Sequence, residues 1–247
     1  MSEQMSQQMH EDDSETLNFT GVLQAIETKR EFNTYAKGEQ VIYEFTEDPG
    51  LLHQYYRLRE DRYRRVFNLR GFDGGEDKYD RLSHILVARR GRLCLGGCRL
   101  TIREGDETWS LPTEVDEYIF RDLFPDWGLD KVRHAEISRF VVMEDSGEED
   151  VTFGLCKAMY SKVTSSNIHY LFVSSTYSMA RNWRMISNSF GVRTTKIVNG
   201  IHPPDRVLGE DIKWYLTVSD LSGFCHNGYW EKGGKDIIFS NNYELLN

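Results

Sequence analysis

EISRFVV (residues 136–142), EDVTFGLCKAMYSKVTS (149–165) and YLFVS (170–174) follow one another in the second half of this 247-residue chain. The outer two are short apolar runs with the length and composition of strands. The middle one repeats Val151, Leu155, Ala158, Met159 and Lys162 on one helical stripe. A strand joined to a strand through a crossover helix belongs in a sheet with parallel character. Working outward, Tyr177–Phe190 is a second crossover helix with Met179, Trp183, Ile186 and Phe190 inward, followed by strands at Val192–Val198 and Ile212–Val218. Toward the N-terminus, Leu93–Ile102 and Ser83–Ala88 are strands joined by a turn at Arg90–Gly91. A helix opens at Asp48-Pro49 and runs to about Phe67, preceded by a strand at Val41–Thr46. Residues 103–133 are polar and irregular, with a short helix around Val115–Phe124. This order predicts an α/β (α+β) fold, a mixed central sheet flanked by helices, in one domain over residues 19–247. Residues 1–18 are polar and acidic and are expected to be disordered.

Composition narrows the function. The net charge of −9 argues against a general nucleic-acid binder. No run reaches the ~18 apolar residues of a membrane span, and Met1–Glu15 carries five acids and no Lys or Arg, the reverse of a secretory signal. A cytoplasmic protein is expected. Four cysteines form no CxxC pair, and with the seven histidines they form no metal-ligand spacing, so no metal is expected. Cys94 and Cys98 fall at alternating positions of one strand and read as core thiols. Neither a GxSxG elbow nor a phosphate-cradling glycine loop occurs.

What stands out is charge inside apolar runs. Buried charge is costly without a partner. Arg59 lies on a stripe of the first helix with Leu52, Tyr56, Tyr63 and Phe67; it either snorkels to water or meets a buried anion. Arg99 falls by alternation on the face of Leu93, Leu95 and Gly97, where Gly96–Gly97 suggests a bulge. Its partner is expected from Asp77 or Asp80, which follow a glycine-rich loop. On Glu136–Val142, Glu136 shares a face with Ser138 and Phe140, and Arg139 shares the other with Ile137 and Val141. A Glu among apolar groups has a raised pKa and suits general-base work near neutrality; the competing reading is an ion pair with Arg99 or Arg59. Arg57, Arg59, Arg62, Arg64, Arg65 and Arg70 make a basic stretch, either a solvated helix face or a dock for an anion.

In order along the chain, Leu58–Arg59 with Tyr63, Asp77–Asp80, Arg99–Leu100 and Glu136–Ile137–Ser138–Arg139–Phe140 resemble the acyl-homoserine lactone synthases, the LuxI-type autoinducer synthases that make quorum-sensing signals. The likeness spans roughly residues 40–220 and implies a GNAT-like (N-acetyltransferase-like) three-layer sandwich. It implies S-adenosylmethionine as a substrate, no cofactor, and a fatty acyl chain carried as a thioester on acyl-carrier protein. Glu136 would be the base and Arg139 would stand beside the amides that polarise the thioester carbonyl. Arg59, Tyr63, Phe72, Asp77, Asp80, Arg99, Ser138 and Phe140 would shape the substrate site. Val142, Met159, Leu171 and Phe172 would line the acyl pocket, and Arg181 and Arg184 would dock the carrier. The sequence departs from the family where Phe72 stands in place of the usual Trp, and where Leu171 occupies a position at which 3-oxo-acyl producers carry Thr. Acyltransferases that acylate free amino acids share much of the pattern, so an N-acyl amino acid synthase is the alternative; a non-catalytic binding module on the same fold is the third reading.

Overall fold

The computed structural model describes residues 40–114, 119–144, 148–192, 195–201 and 214–223. The arm at residues 1–18, its boundary with the domain, Cys225 and residues 115–118 of the expected short helix lie outside the described residues.

Seven strands make one open sheet in the order β1-β2-β3-β4-β5-β7-β6. They are β1 (Ile42–Phe45), β2 (His84–Arg90), β3 (Leu93–Arg103), β4 (His134–Val142), β5 (Tyr170–Ser175), β6 (Thr195–Ile201) and β7 (Trp214–Asp220). β4 and β5 are parallel; every other pairing is antiparallel. The helices are α1 (Pro49–Val66), α2 (Phe120–Leu123), α3 (Glu148–Ser165) and α4 (Tyr177–Ser189). The sheet is therefore mixed as expected, with the parallel pair where the strand–helix–strand pattern put it. Among the described residues no helix is long and apolar enough to cross a membrane.

Local signals account for the elements. The Asp48 carboxylate accepts from the Leu51 amide at 2.8 Å and Pro49 takes the first helical position, so α1 starts where its cap dictates. Alternation along β2 sends Leu86 and Ala88 into the main core with α3 and Trp183 of α4, and Ile85 and Val87 to the other side with Tyr55 of α1. That gives three layers: α1, the sheet, then α3 with α4.

Two bulges alter the expected faces. β2 pairs Ala88 with Gly96 and Arg89 with Cys94, so Leu95 is an extra residue in β3. An extra residue reverses the parity of everything beyond it. Leu95 thus joins Cys98 and Leu100 in the main core, whereas Cys94 lies on the α1 side. Arg99 does not share the face of Leu93 and Leu95; it opposes Ile85 on the α1 side. The second bulge is in β4, where Gly97 pairs with Val141 and Arg99 with Ser138, leaving both Arg139 and Phe140 opposite Cys98. Arg139 takes up the slack at φ +55°. The expected faces of Arg139 and Phe140 are accordingly exchanged: Phe140 packs against the main core edge-on to Trp183 at 5.7 Å, while Arg139 turns to the side of Glu136 and Ser138.

The stripe of α1 is also rotated. Its buried residues are Leu51, Tyr55, Arg59 and Arg62, with Leu52, Tyr56 and Tyr63 at the margin. Tyr55 lies so close to the sheet that a Cβ on Gly97 would stand 2.8 Å from its ring and 2.7 Å from the Leu86 carbonyl. Glycine is needed there because a backbone and a ring share the space.

Candidate active site

The loop between α1 and β2 is locked by its own acids. Asp77 accepts from the amides of Tyr79 (2.8 Å) and Asp80 (3.0 Å), and Asp80 accepts from the Asp77 amide at 2.8 Å. The three-residue spacing permits this reciprocal capping at the head of the short helical turn Asp80–Leu82.

Arg59 meets this turn from α1. It places two donors on the Asp80 carboxylate at 3.1 and 2.9 Å, gives Nε to the Gly74 carbonyl at 2.8 Å, and bonds the Gly75 carbonyl. With 1% of its surface exposed it does not snorkel; it is the buried-anion case, and the anion is the protein's own. Gly74 permits the contact, since a Cβ there would stand 2.4 Å from the Glu60 backbone.

Arg99 arrives from β3 and donates to Asp77 at 2.7 Å, Asp80 at 3.1 Å and the Ser138 hydroxyl at 3.0 Å. Arg139 reaches Asp77 at 3.4 Å and lies over the rings of Phe72 (5.2 Å) and Tyr63 (5.7 Å), which stack on each other at 5.0 Å. The result is an alternating chain, Arg59–Asp80–Arg99–Asp77–Arg139. Three guanidiniums alternate with two carboxylates along it, and exposure rises from 1% for Arg59 to 15% for the Arg139 side chain. Burial alone would raise the Asp77 carboxyl, but the charge and hydrogen bond of Arg99, with Arg139 behind it, hold it below the ordinary value.

Glu136 lies on the same face of the sheet and is handled differently. It is 1% exposed and accepts two bonds from one residue: the Thr113 amide to Oε2 and the Thr113 hydroxyl to Oε1, both at 2.9 Å. No arginine bonds it among the described residues, so the expected alternative, an ion pair with Arg99 or Arg59, is not what the structure holds. Burial pushes its carboxyl up to about 7, against the Thr113 bonds and the charge of Arg99, with Glu114 adding to the rise. Thr113 is itself anchored by Glu114, which accepts from the amides of Leu111 and Phe120 (both 2.8 Å) and from Arg103 (3.1 Å).

The opening beside these groups comes from the sheet. β4 and β5 pair only from His134–Tyr170 to Ile137–Val173, although β4 continues to Val142. Past Ile137 the β5-facing side of β4 leaves the parallel ladder, and the Arg139 bulge lies in that stretch; its carbonyl is tied down by the Tyr55 hydroxyl at 2.9 Å.

The residues expected to line an acyl pocket divide between faces. Val142, Met159 and Leu171 pack in the main core, with Phe140 against it. Phe172 projects to the other side, opposite Glu136, where it stacks on Phe120 at 4.2 Å. Neighbours on a strand point to opposite faces, so Leu171 and Phe172 do not share one lining. Arg181 and Arg184 are exposed on α4. The basic stretch of α1 is no single surface: Arg59 and Arg62 are buried, and Arg64 and Arg65 pair along the helix with Glu60 and Asp61. Among the described residues no group of His, Cys, Asp and Glu could hold a metal ion. Tyr55, Thr113 and Glu114 are site residues that sequence reasoning missed.

No protein-family model matches the chain, and no curated protein sequence matches it. Solved structures do. The acyl-homoserine lactone synthase LasI superposes with a TM-score of 0.51 at 17% identity, covering 74% of this chain and 91% of LasI. The CoA-dependent acyl-homoserine lactone synthase BjaI, solved with SAM and isopentyl-CoA, gives 0.50 at 19% identity over 81% of this chain and 95% of its own. The chain therefore has the fold seen in these acyl-homoserine lactone synthase structures.

Proposed function

We propose that the protein is an acyltransferase, and specifically an acyl-homoserine lactone synthase using S-adenosylmethionine and a fatty acyl thioester. The observation that carries this is on β4: a carboxyl that titrates near 7, Glu136, stands three residues before the left-handed bulge at Arg139, where β4 and β5 cease to pair. A carboxyl that burial raises toward neutrality, beside an irregular strand edge, suits attack of an amine on a carbonyl. In the reaction Glu136, through a water, takes a proton from the α-amine. The amine nitrogen bonds to the thioester carbonyl carbon, whose oxygen meets the amides of the bulge, and the C–S bond breaks to release the thiol, which takes the proton. The substrate carboxylate then displaces neutral methylthioadenosine from the γ-carbon, closing the lactone; the sulfonium carries its own leaving group, so orientation is the main demand. The Arg139 guanidinium, at the more exposed end of the chain, is placed to meet that carboxylate. The acyl chain lies on the apolar side of the β4–β5 opening.

The same guanidinium suits the carboxylate of a free amino acid, so the test must separate the two acceptors. Purified protein is given S-adenosylmethionine with acyl-carrier and acyl-CoA thioesters, and products are read by mass spectrometry. Methylthioadenosine and an acyl-homoserine lactone formed together, and lost in Glu136→Gln, are expected. Thioester consumed only with other amines, S-adenosylmethionine untouched, would overturn the lactone reading in favour of an N-acyl amino acid synthase. Arg181 and Arg184 are proposed to dock an acidic carrier protein; the KM for that donor should rise with ionic strength, and a salt-independent KM removes the dock.

A further inference from the structure

We infer that Thr113 is the positioning residue of the base: its amide and hydroxyl hold both oxygens of Glu136, fixing the carboxyl's orientation and stabilising its ionised form. The inference rests on Glu136 being the base and names the group that makes it one.

The geometry is specific. One residue supplies one donor to each carboxylate oxygen, both at 2.9 Å, from a segment that crosses over β4 rather than from a neighbouring strand. Thr113 is fully buried, so water does not compete for either donor. The segment is not loosely placed either. Glu114 ties it at Leu111 and Phe120 and to Arg103 at the end of β3, so the donors are delivered by a fixed backbone. Two bonds to a carboxylate restrict its rotation, which directs the remaining lone pairs to one place. Hydrogen bonds to the charged form also oppose the effect of burial.

Other charged groups facing Glu136 do not duplicate this. Arg99 on β3 acts through its charge; the bonds it makes go to Asp77, Asp80 and Ser138 and none goes to Glu136. Arg103, also on β3, is bound to Glu114. His134, two residues back on β4, is held below its ordinary pKa by burial. Glu114 raises the Glu136 pKa rather than lowering it. β5 presents Phe172, which carries no charge. Thr113 is thus the hydrogen-bond donor on which the ionised base depends.

The test is the pH profile of kcat/KM for acyl transfer in the full chain, with Thr113→Val, Thr113→Ser and Glu136→Gln. The ascending limb near 7 should move up by about one unit or more in Thr113→Val, which keeps the shape and loses the hydroxyl. It should stay near the original value in Thr113→Ser. A limb unmoved in Thr113→Val, with Glu136→Gln still inactive, overturns the role of Thr113 and leaves the base intact. Full activity in Glu136→Gln instead overturns the base. A second reading needs no variant of Thr113. The Thr113 amide proton, followed by NMR in the unaltered protein, should titrate with the midpoint of Glu136 and cease to titrate in Glu136→Gln. A Thr113 amide indifferent to pH across neutrality overturns the inference even if Thr113→Val fails to fold.

Discussion

Two buried charged regions share one face of the sheet and solve the cost of burial in opposite ways. Along Arg59–Asp80–Arg99–Asp77–Arg139 each charge is offset by its neighbour, with bonds of 2.7–3.4 Å from end to end. At Glu136 no counter-ion bonds the carboxylate among the described residues, and a proton offsets the charge over part of the pH range. Paired charges that cannot easily change state make a scaffold and a binding surface. A group that trades a proton near 7 can do chemistry.

The contrast is broken most severely at Asp80. Its carboxylate is fully buried between Arg59 and Arg99, so Asp80→Ala leaves two guanidiniums without their shared partner. A loss of about 3–5 kcal/mol is expected, seen in urea denaturation as a large fall in midpoint or failure to fold. A midpoint close to that of the unaltered protein would show that the chain of charges is not structural.

Glu136→Gln should do the reverse. Turnover is expected to fall by about 10²–10⁴-fold, while the folded state is as stable or more so. A variant that loses both activity and stability would place Glu136 in the scaffold instead.

A smaller effect is expected where the two regions meet. Gly97→Ala drives a methyl against the Tyr55 ring and the Leu86 carbonyl, displacing the hydroxyl that holds the Arg139 carbonyl. Destabilisation of about 1–3 kcal/mol should accompany a rate loss, measured by melting and by product formation. Unchanged melting would show that α1 can move off the sheet without cost.

The finest distinction is in the pH dependence of stability, where the signs oppose. Asp77 has a depressed pKa, so its contribution is present above the ordinary carboxylate value and is lost as pH falls through the folded value. Glu136 has a raised pKa, so the folded state binds the extra proton between about 4.5 and about 7, and stability from this group declines as pH rises through that window. Denaturation of the unaltered protein and Glu136→Gln across the window should diverge with rising pH, the variant being the more stable. Parallel curves would mean that Glu136 is ionised throughout.

The scaffold was the more legible region. Arginines and acids inside apolar runs announce themselves, and the Asp77–Asp80 spacing matches the turn it caps. The succession of strands and helices, and with it the mixed sheet, followed from periodicity, because strand–turn–strand and strand–helix–strand patterns leave few topologies. Faces were less legible. Counting by twos put Arg99 with Leu95, and Phe140 with Glu136, because an extra residue is invisible to alternation unless something marks it. Gly96–Gly97 marked the first bulge; nothing marked the second, since its left-handed residue is an arginine rather than a glycine. Thr113 was missed for a different reason. Its role depends on a tertiary contact from an aperiodic polar segment, 23 residues before Glu136.

The Arg139 bulge gives β4 something like a reading frame. Upstream of it the strand spells core residues at one parity, and downstream at the other, with the extra residue as the shift between them. Taking out the extra residue, Arg139, would restore an unbroken alternation in which Ser138 still opposes Arg99 and Phe140, Val141 and Val142 keep their faces, while the site loses its guanidinium. Deleting Phe140 instead would keep the same register and put the guanidinium on the core face, so the two deletions separate the bulge from the side chain it presents.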